Sequence, residues 1–268
     1  MRARALRLAA LVGLGLLAGG CLPEAATSQG RATNGLWAWF IALSILVGAV
    51  VWTLVTLAIV RRRREPGLPR QIHGDIRIEI IWTTIPIVIV IGLFAGTLGT
   101  LNVIDARSPE AGVDVIVTAF RWQWRFDYPR ESISVVGTPE QPPELVVPVD
   151  QPVHIALTAP AGDVDHAFFV PQFLFKRDAI PGRTSTFDFT VEEPGTYRGQ
   201  CAEFCGTYHA QMLFSVRAVS AADYQAWLAS QQAAGSALPI GTPPPVGPGG
   251  STVPSNLPSV APPSGGQP

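Results

Sequence analysis

Residues 36–60 form an uncharged apolar run that is followed at once by Arg61-Arg62-Arg63-Arg64. Such a run can cross a hydrocarbon core about 30 Å thick, and a helix that does so has no alternative fold, because lipid offers no partner to an open backbone. Trp37 and Trp39 near its start suit a membrane interface. A second apolar run covers residues 79–102 and opens on an acid, Glu79. Six arginines lie between the two spans (61, 62, 63, 64, 70 and 77), whereas the stretch between the leader and the first span carries only Arg31. The excess of arginine places the loop over residues 61–78 in the cytoplasm and both chain ends on the outer side of a bacterial plasma membrane.

The N-terminus has the plan of an export leader over residues 1–21. Arg2, Arg4 and Arg7 precede a short apolar core, and small residues then lead to Cys21. The core is too short to span. A lone cysteine after small residues resembles a bacterial lipoprotein cleavage site, which implies lipid on Cys21 and a short extracytoplasmic segment over residues 22–35.

Charge divides the chain further. Residues 1–104 carry a net charge of +6 and residues 105–235 a net of −7, while the last 33 residues have no charge and hold 10 of the 25 prolines. An acidic polar domain excludes nucleic acid as a partner, and three cysteines exclude a disulfide-stapled scaffold. Over residues 107–235, short runs rich in Val, Ile, Thr and aromatics alternate with Pro/Gly clusters. That pattern predicts seven or more strands in a β-sandwich or Greek-key barrel. Residues 236–268 read as a disordered Pro/Gly/Ser-rich tail.

The densest chemistry lies in Cys201-Ala-Glu-Phe-Cys205-Gly-Thr-Tyr-His209-Ala-Gln-Met212. Soft sulfur ligands with imidazole select copper or zinc over magnesium and calcium. A Cys201–Cys205 disulfide would leave His209 and Met212 idle, and a structural zinc site would need a second histidine and no methionine. Copper uses every member, since a weak axial Met beside Cys and His marks electron-transfer copper. His154 sits inside an alternating strand and His73 on the cytoplasmic loop, so His166, at a strand start in GDVDHAFFVP, completes the set by elimination.

These residues resemble subunit II of the haem–copper cytochrome c oxidases. CAEFCGTYHAQM resembles the family's CuA motif and DVDHAF its first-histidine segment. FKRDAIPGR, GTYRGQ and IEIIWTTIP are similar to its other blocks. The resemblance implies a two-helix transmembrane hairpin followed by an all-β cupredoxin-like extracytoplasmic domain. It also implies a dinuclear copper centre in which Cys201 and Cys205 bridge two ions. His166 and His209 bind one ion each, Met212 completes one, and the Glu203 carbonyl completes the other. The Glu203 carboxylate would hold a magnesium ion shared with oxidase subunit I, with Asp178 supporting that interface. Trp122, in Arg121-Trp122-Gln123-Trp124-Arg125-Phe126-Asp127-Tyr128, would receive electrons from cytochrome c, although alternation puts Trp122 and Trp124 on one strand face where packing also explains them. Asp127 and Asp163 match acidic docking positions, and Glu79 the mouth of a proton-uptake channel. This chain departs from the family pattern in having Gln123 where an aromatic is usual, with Arg121 and Arg125 beside the tryptophans.

The implied function is the electron-accepting subunit of a terminal oxidase, working with subunit I, the other oxidase subunits, membrane lipid and a separate cytochrome c. The rival readings are the CuA subunit of another terminal reductase and a membrane-anchored copper-delivery protein, which would need exposed, exchangeable ligands.

Overall fold

The computed structural model describes residues 23–63, 74–109, 112–138 and 140–234. Cys21 and the tail over residues 236–268 lie outside these residues.

Two long helices come first, α1 (Ser28–Arg62) and α2 (Ile76–Ile104). Each begins at a polar cap: the Thr27 side chain accepts the Gly30 N–H, and the Asp75 side chain accepts the Arg77 N–H. Helix α1 starts well before the apolar run over residues 36–60, because Thr27 provides the cap that the run itself lacks. Neither helix buries its apolar window within the protein, which excludes a role as the core helix of a soluble domain. Ile45, Trp52, Ile85, Val88 and Phe94 all face outward.

Ten strands follow: β1 (Val113–Phe120), β2 (Gln123–Tyr128), β3 (Ile133–Val136), β4 (Glu144–Pro148), β5 (Pro152–Thr158), β6 (His166–Val170), β7 (Phe175–Ala179), β8 (Thr184–Thr190), β9 (Gly195–Cys201) and β10 (Leu213–Val219). They form two five-stranded sheets, ordered β3-β2-β1-β5-β8 and β4-β10-β9-β6-β7. The pairings β1–β5 and β4–β10 are parallel, so the chain crosses between sheets rather than meandering. Alternation along the strands is what closes the sandwich. Val113, Val115, Val117 and Ala119 of β1, Val153, Ile155 and Leu157 of β5, and Phe214, Val216 and Ala218 of β10 are all buried. Aromatic rings bridge the sheets, Trp124 tilting onto Phe214 at 5.0 Å and meeting Phe168 edge-on at 6.1 Å. The expected cupredoxin-like β domain behind a helical hairpin is therefore what the chain forms.

Two features differ from expectation. The run VDVIVTAFRWQWRF is a hairpin, not one strand: Phe120 pairs with Gln123, and Arg121 and Trp122 make the turn. Trp122 thus does not share a strand face with Trp124. A third helix, α3 (Ala221–Ala233), follows β10, capped by Ser220 and anchored by buried Tyr224 and Leu228. Its mixed composition carries little apolar periodicity.

The hairpin is clipped to the domain at the end from which the β domain follows. The Ala26 N–H donates to the Gln172 carbonyl and the Glu192 N–H to the Ala26 carbonyl, while Arg31 pairs with Glu192 and Arg177 with Asp105.

Candidate metal centre

Strand β9 delivers Cys201 at its last residue, and β10 starts at Leu213, so the other loop ligands lie in an eleven-residue connection. Gly206 turns that connection at φ +111, a conformation side chains rarely adopt, and a Cβ there would meet the Trp122 ring at 3.3 Å. The His209 N–H then donates to the Gly206 carbonyl, and a 3-10 turn (His209–Gln211) brings Met212 back under the loop. The Met212 carbonyl accepts from the Cys201 N–H at 3.0 Å and from Trp124 Nε1 at 3.4 Å, which fixes both ends of the loop to the sandwich. His166 arrives from the neighbouring strand, since β6 pairs with β9 through Phe168 and Cys201.

Folding brings these side chains together. Cys201 Sγ and Cys205 Sγ are 3.8 Å apart, His209 Nδ1 is 3.4 Å from Cys205 Sγ, His166 Nδ1 is 3.8 Å from Cys201 Sγ, and Met212 Sδ is 3.8 Å from Cys205 Sγ. The Glu203 carbonyl oxygen lies 3.3 Å from Cys201 Sγ. Ligand atoms of His166, Cys201 and Cys205 fall within 4.8 Å of one another. His166 and Met212 are fully buried, and Cys201 and Cys205 nearly so.

This donor set fits a soft metal. A disulfide has its sulfurs about 2.05 Å apart, so the pair at 3.8 Å is not one. The spacing is close to the edge of a tetrahedron whose corners lie about 2.3 Å from a shared ion. His166 turns Nδ1, rather than Nε2, toward the Cys201 sulfur, which leaves Nδ1 as the nitrogen available to a metal there. Without metal, the two thiols differ sharply. Burial would raise Cys201, but contact with His166 and backbone hydrogen bonds at Glu203 and Ala167 outweigh it and bring the thiol down to about 7. Burial pushes Cys205 up to about 12, and the nearby Cys201 adds to the rise.

The other expected site residues fall into three groups. Trp122 is half-buried and its Nε1–H donates to the Cys205 carbonyl at 2.8 Å, with Tyr208 edge-on at 5.1 Å. The Glu203 backbone faces the cluster, while its carboxylate points away to Lys176 Nζ at 3.0 Å, which also meets Asp178 at 3.0 Å. Glu79 stands in the first turn of α2, half-buried and remote from the metal loop.

Of the two expected docking acids, Asp127 is overturned by its burial, and Asp163 is paired rather than free. Asp127 is 1% exposed, accepting from Arg125 Nε at 2.8 Å and Ser134 Oγ at 2.6 Å. Strand β2 is covered on both faces, so Asp127 cannot meet a protein partner. The Asp163 side chain is 9% exposed and is paired with Arg121 Nε at 2.6 Å. Burial would raise its carboxyl, but His166, the Val164 N–H and Arg121 together hold it below the usual range. What the loop does present to solvent is aromatic: Phe204 is 80% exposed and Tyr208 52%. Neither stood out in the sequence, where both read as spacers between ligands.

Comparison with known proteins agrees with this architecture. Residues 138–219 match the family described as "Cytochrome C oxidase subunit II, periplasmic domain", and residues 15–98 match "Cytochrome C oxidase subunit II, transmembrane domain". The probable cytochrome c oxidase subunit 2 of Nocardia farcinica is 30% identical, the match covering 79% of this chain and 74% of that protein. Cytochrome c oxidase subunit 2 of Cereibacter sphaeroides is 32% identical over 80% of this chain and 82% of its own. The crystal structure of the periplasmic domain of subunit II of cytochrome oxidase of Bradyrhizobium japonicum is 30% identical, covering 48% of this chain and 99% of that one, with a TM-score of 0.43. With two unburied apolar helices, a β domain matching the family's periplasmic domain and a His/Cys/Cys cluster in that domain, this is a membrane protein of the cytochrome c oxidase subunit II family.

Proposed function

We propose that this chain is the electron-accepting subunit of a cytochrome c oxidase, holding a dinuclear CuA centre in the loop between β9 and β10. The observation that carries the reading is the convergence of two cysteine sulfurs 3.8 Å apart with two imidazoles, a thioether and a carbonyl on one cluster, of which Cys201, Cys205, His166 and Met212 are buried and His209 is half-buried. Cys201 and Cys205 would hold both copper ions, His166 and His209 one each, with Met212 and the Glu203 carbonyl completing the set. Copper there supplies a one-electron acceptor whose charge is spread over two metals, so that little rearranges on reduction. Burial of Cys201, Cys205, His166 and Met212 argues against the copper-delivery alternative, which needs exchangeable sites.

The chain's own residues give the centre its route. Trp122 lies between the exposed aromatic loop and the cluster, and its hydrogen bond to the Cys205 carbonyl ties the ring to a ligand residue. Trp122 receives electrons from cytochrome c, and the subunit passes them to haem in subunit I, where oxygen is reduced. The docking face is aromatic, formed by Phe204, Tyr208 and Trp122. The domain's net negative charge steers a basic donor at longer range. The Glu203 carboxylate would hold magnesium against subunit I in exchange for its present pairing with Lys176, and Asp178, which meets the same lysine, would support that interface. Glu79 would stand at the inner mouth of a proton-uptake path, with both chain ends outside and Cys21 carrying lipid.

The test is the full chain in detergent, loaded with copper. Two coppers per chain and a paramagnetic resonance signal split by two equivalent copper nuclei are expected. One copper with a localised signal, or a preference for zinc, overturns the reading.

A further inference from the structure

His166 is held from one side only by the cluster. Its Nδ1 faces Cys201 Sγ at 3.8 Å, and its buried Nε2 has no hydrogen-bond partner. In a neutral imidazole one nitrogen accepts and the other carries the proton, so a ring that ligates through Nδ1 keeps its proton on Nε2. Facing that nitrogen is Asp163 Oδ1, 3.7 Å away. That distance is an electrostatic contact beyond hydrogen-bond range, which a small ring movement on metal binding would close. Asp163 is itself fixed by three donors: the Val164 N–H at 2.8 Å, the Arg121 N–H at 3.2 Å and Arg121 Nε at 2.6 Å. Arg121 occupies the β1–β2 turn directly before Trp122, whose indole is bonded to the Cys205 carbonyl. One two-residue turn therefore grips the cluster from both sides, through Trp122 at Cys205 and through Arg121 and Asp163 at His166.

We propose that Arg121 and Asp163 form a charge-paired positioning device for His166, with Asp163 orienting the imidazole and Arg121 setting how much negative charge the ring feels. The inference rests on the copper reading above. Partners behind a metal-bound histidine fix its tautomer and raise its basicity, and losing one typically costs about 10–100-fold in metal affinity. Here the carboxylate is nine-tenths buried and opposed by a guanidinium, so the two charges act on the centre with opposite sign. Asp163 makes the ring a stronger donor and favours the oxidised metal, and Arg121 tempers that effect. An acid that sequence places on a docking surface is thereby turned inward, because this chain sets an arginine beside it.

The experiment uses the full chain in detergent with Asp163→Asn, Arg121→Gln, Arg121→Lys and the double variant Asp163→Asn/Arg121→Gln. Copper content and the resonance signal of the unmodified chain are read first; failure there overturns the functional reading. With that signal in hand, Asp163→Asn is expected to raise the midpoint potential, to alter the nitrogen coupling of His166 in pulsed resonance, and to lower copper affinity about 10–100-fold. Arg121→Gln is expected to lower the potential, the double variant to return toward the starting value, and Arg121→Lys, which keeps the charge and perturbs the fold least, to stay near it. Single variants whose potentials shift in the same direction would show a merely structural contact and overturn the inference. Unchanged potential and nitrogen coupling in Asp163→Asn and Arg121→Gln, with two coppers retained, would also overturn it.

Discussion

Without metal, the two thiols differ in a way that can be counted in protons. Cys201 sits at about 7 and Cys205 at about 12. The two sulfurs are 3.8 Å apart, so the first proton to leave opposes the second, and the two steps belong to the pair. Both cysteines must be thiolates to bind metal, so copper uptake releases whatever protons the pair still holds. A lowered group has already lost its proton above its own value, and a raised one keeps it until far higher pH. At about pH 7, Cys201 is half ionised and Cys205 fully protonated, giving about one and a half protons from the thiols. Between about pH 8.5 and pH 10, Cys201 contributes almost nothing and Cys205 still contributes one, so release holds at about one proton and affinity rises about tenfold per pH unit. Burial alone would lower His166, but Asp163 and Cys201 outweigh it and raise the imidazole. Its proton therefore joins the count on the acid side, where the pH dependence steepens to more than a hundredfold per unit, on the order of two to three protons. The assay is anaerobic calorimetry of the metal-free full chain with cuprous ion, kept as its acetonitrile complex, in buffers of different ionisation enthalpy. Two ordinary thiols near 8.5 would fall from about one proton at pH 8.5 to about 0.1 at pH 10. That decay, in place of a plateau, would refute the argument.

Three other outcomes follow from the geometry. Met212→Leu conserves volume at a fully buried site, so it is expected to cost less than about 1.5 kcal/mol of folding and to retain copper. Losing the thioether shifts the redox potential and slows electron transfer, and potentiometry on the loaded chain checks both. Trp122→Phe removes the 2.8 Å bond to the Cys205 carbonyl at about 0.5–1.5 kcal/mol, and is expected to leave the copper spectrum intact while electron uptake from cytochrome c in the assembled oxidase falls. Tyr128→Phe removes a buried hydroxyl that accepts the Val146 N–H and donates to the Val146 carbonyl, both at 2.9 Å. The β domain should lose about 1–3 kcal/mol, read as a lower urea midpoint, without any change in the copper signal.

Much of this protein is legible in its sequence because the physics involved is local. An uncharged run over residues 36–60 has to be a helix in lipid whatever else the chain does, and alternating Val113, Val115 and Val117 has to turn one strand face inward. Ligand chemistry is equally local: two cysteines, a histidine and a methionine within twelve residues announce a soft metal before any fold is known. Tertiary structure decided what depends on contacts distant along the chain. Whether Asp127 and Asp163 face a partner depends on Arg125, Ser134 and Arg121 closing over them, and acidic residues read alike in sequence whether they are solvated or paired. Trp122 leaves the strand face of Trp124 because the hairpin closes at Phe120 and Gln123, a register set by cross-strand bonds. That turn aims the indole at Cys205, 83 positions away, and sets Arg121 on Asp163, 42 positions away. Composition fixes which residues can take part in a site, but separations of that length are closed only by packing two sheets together, and it is there that each residue acquires its role.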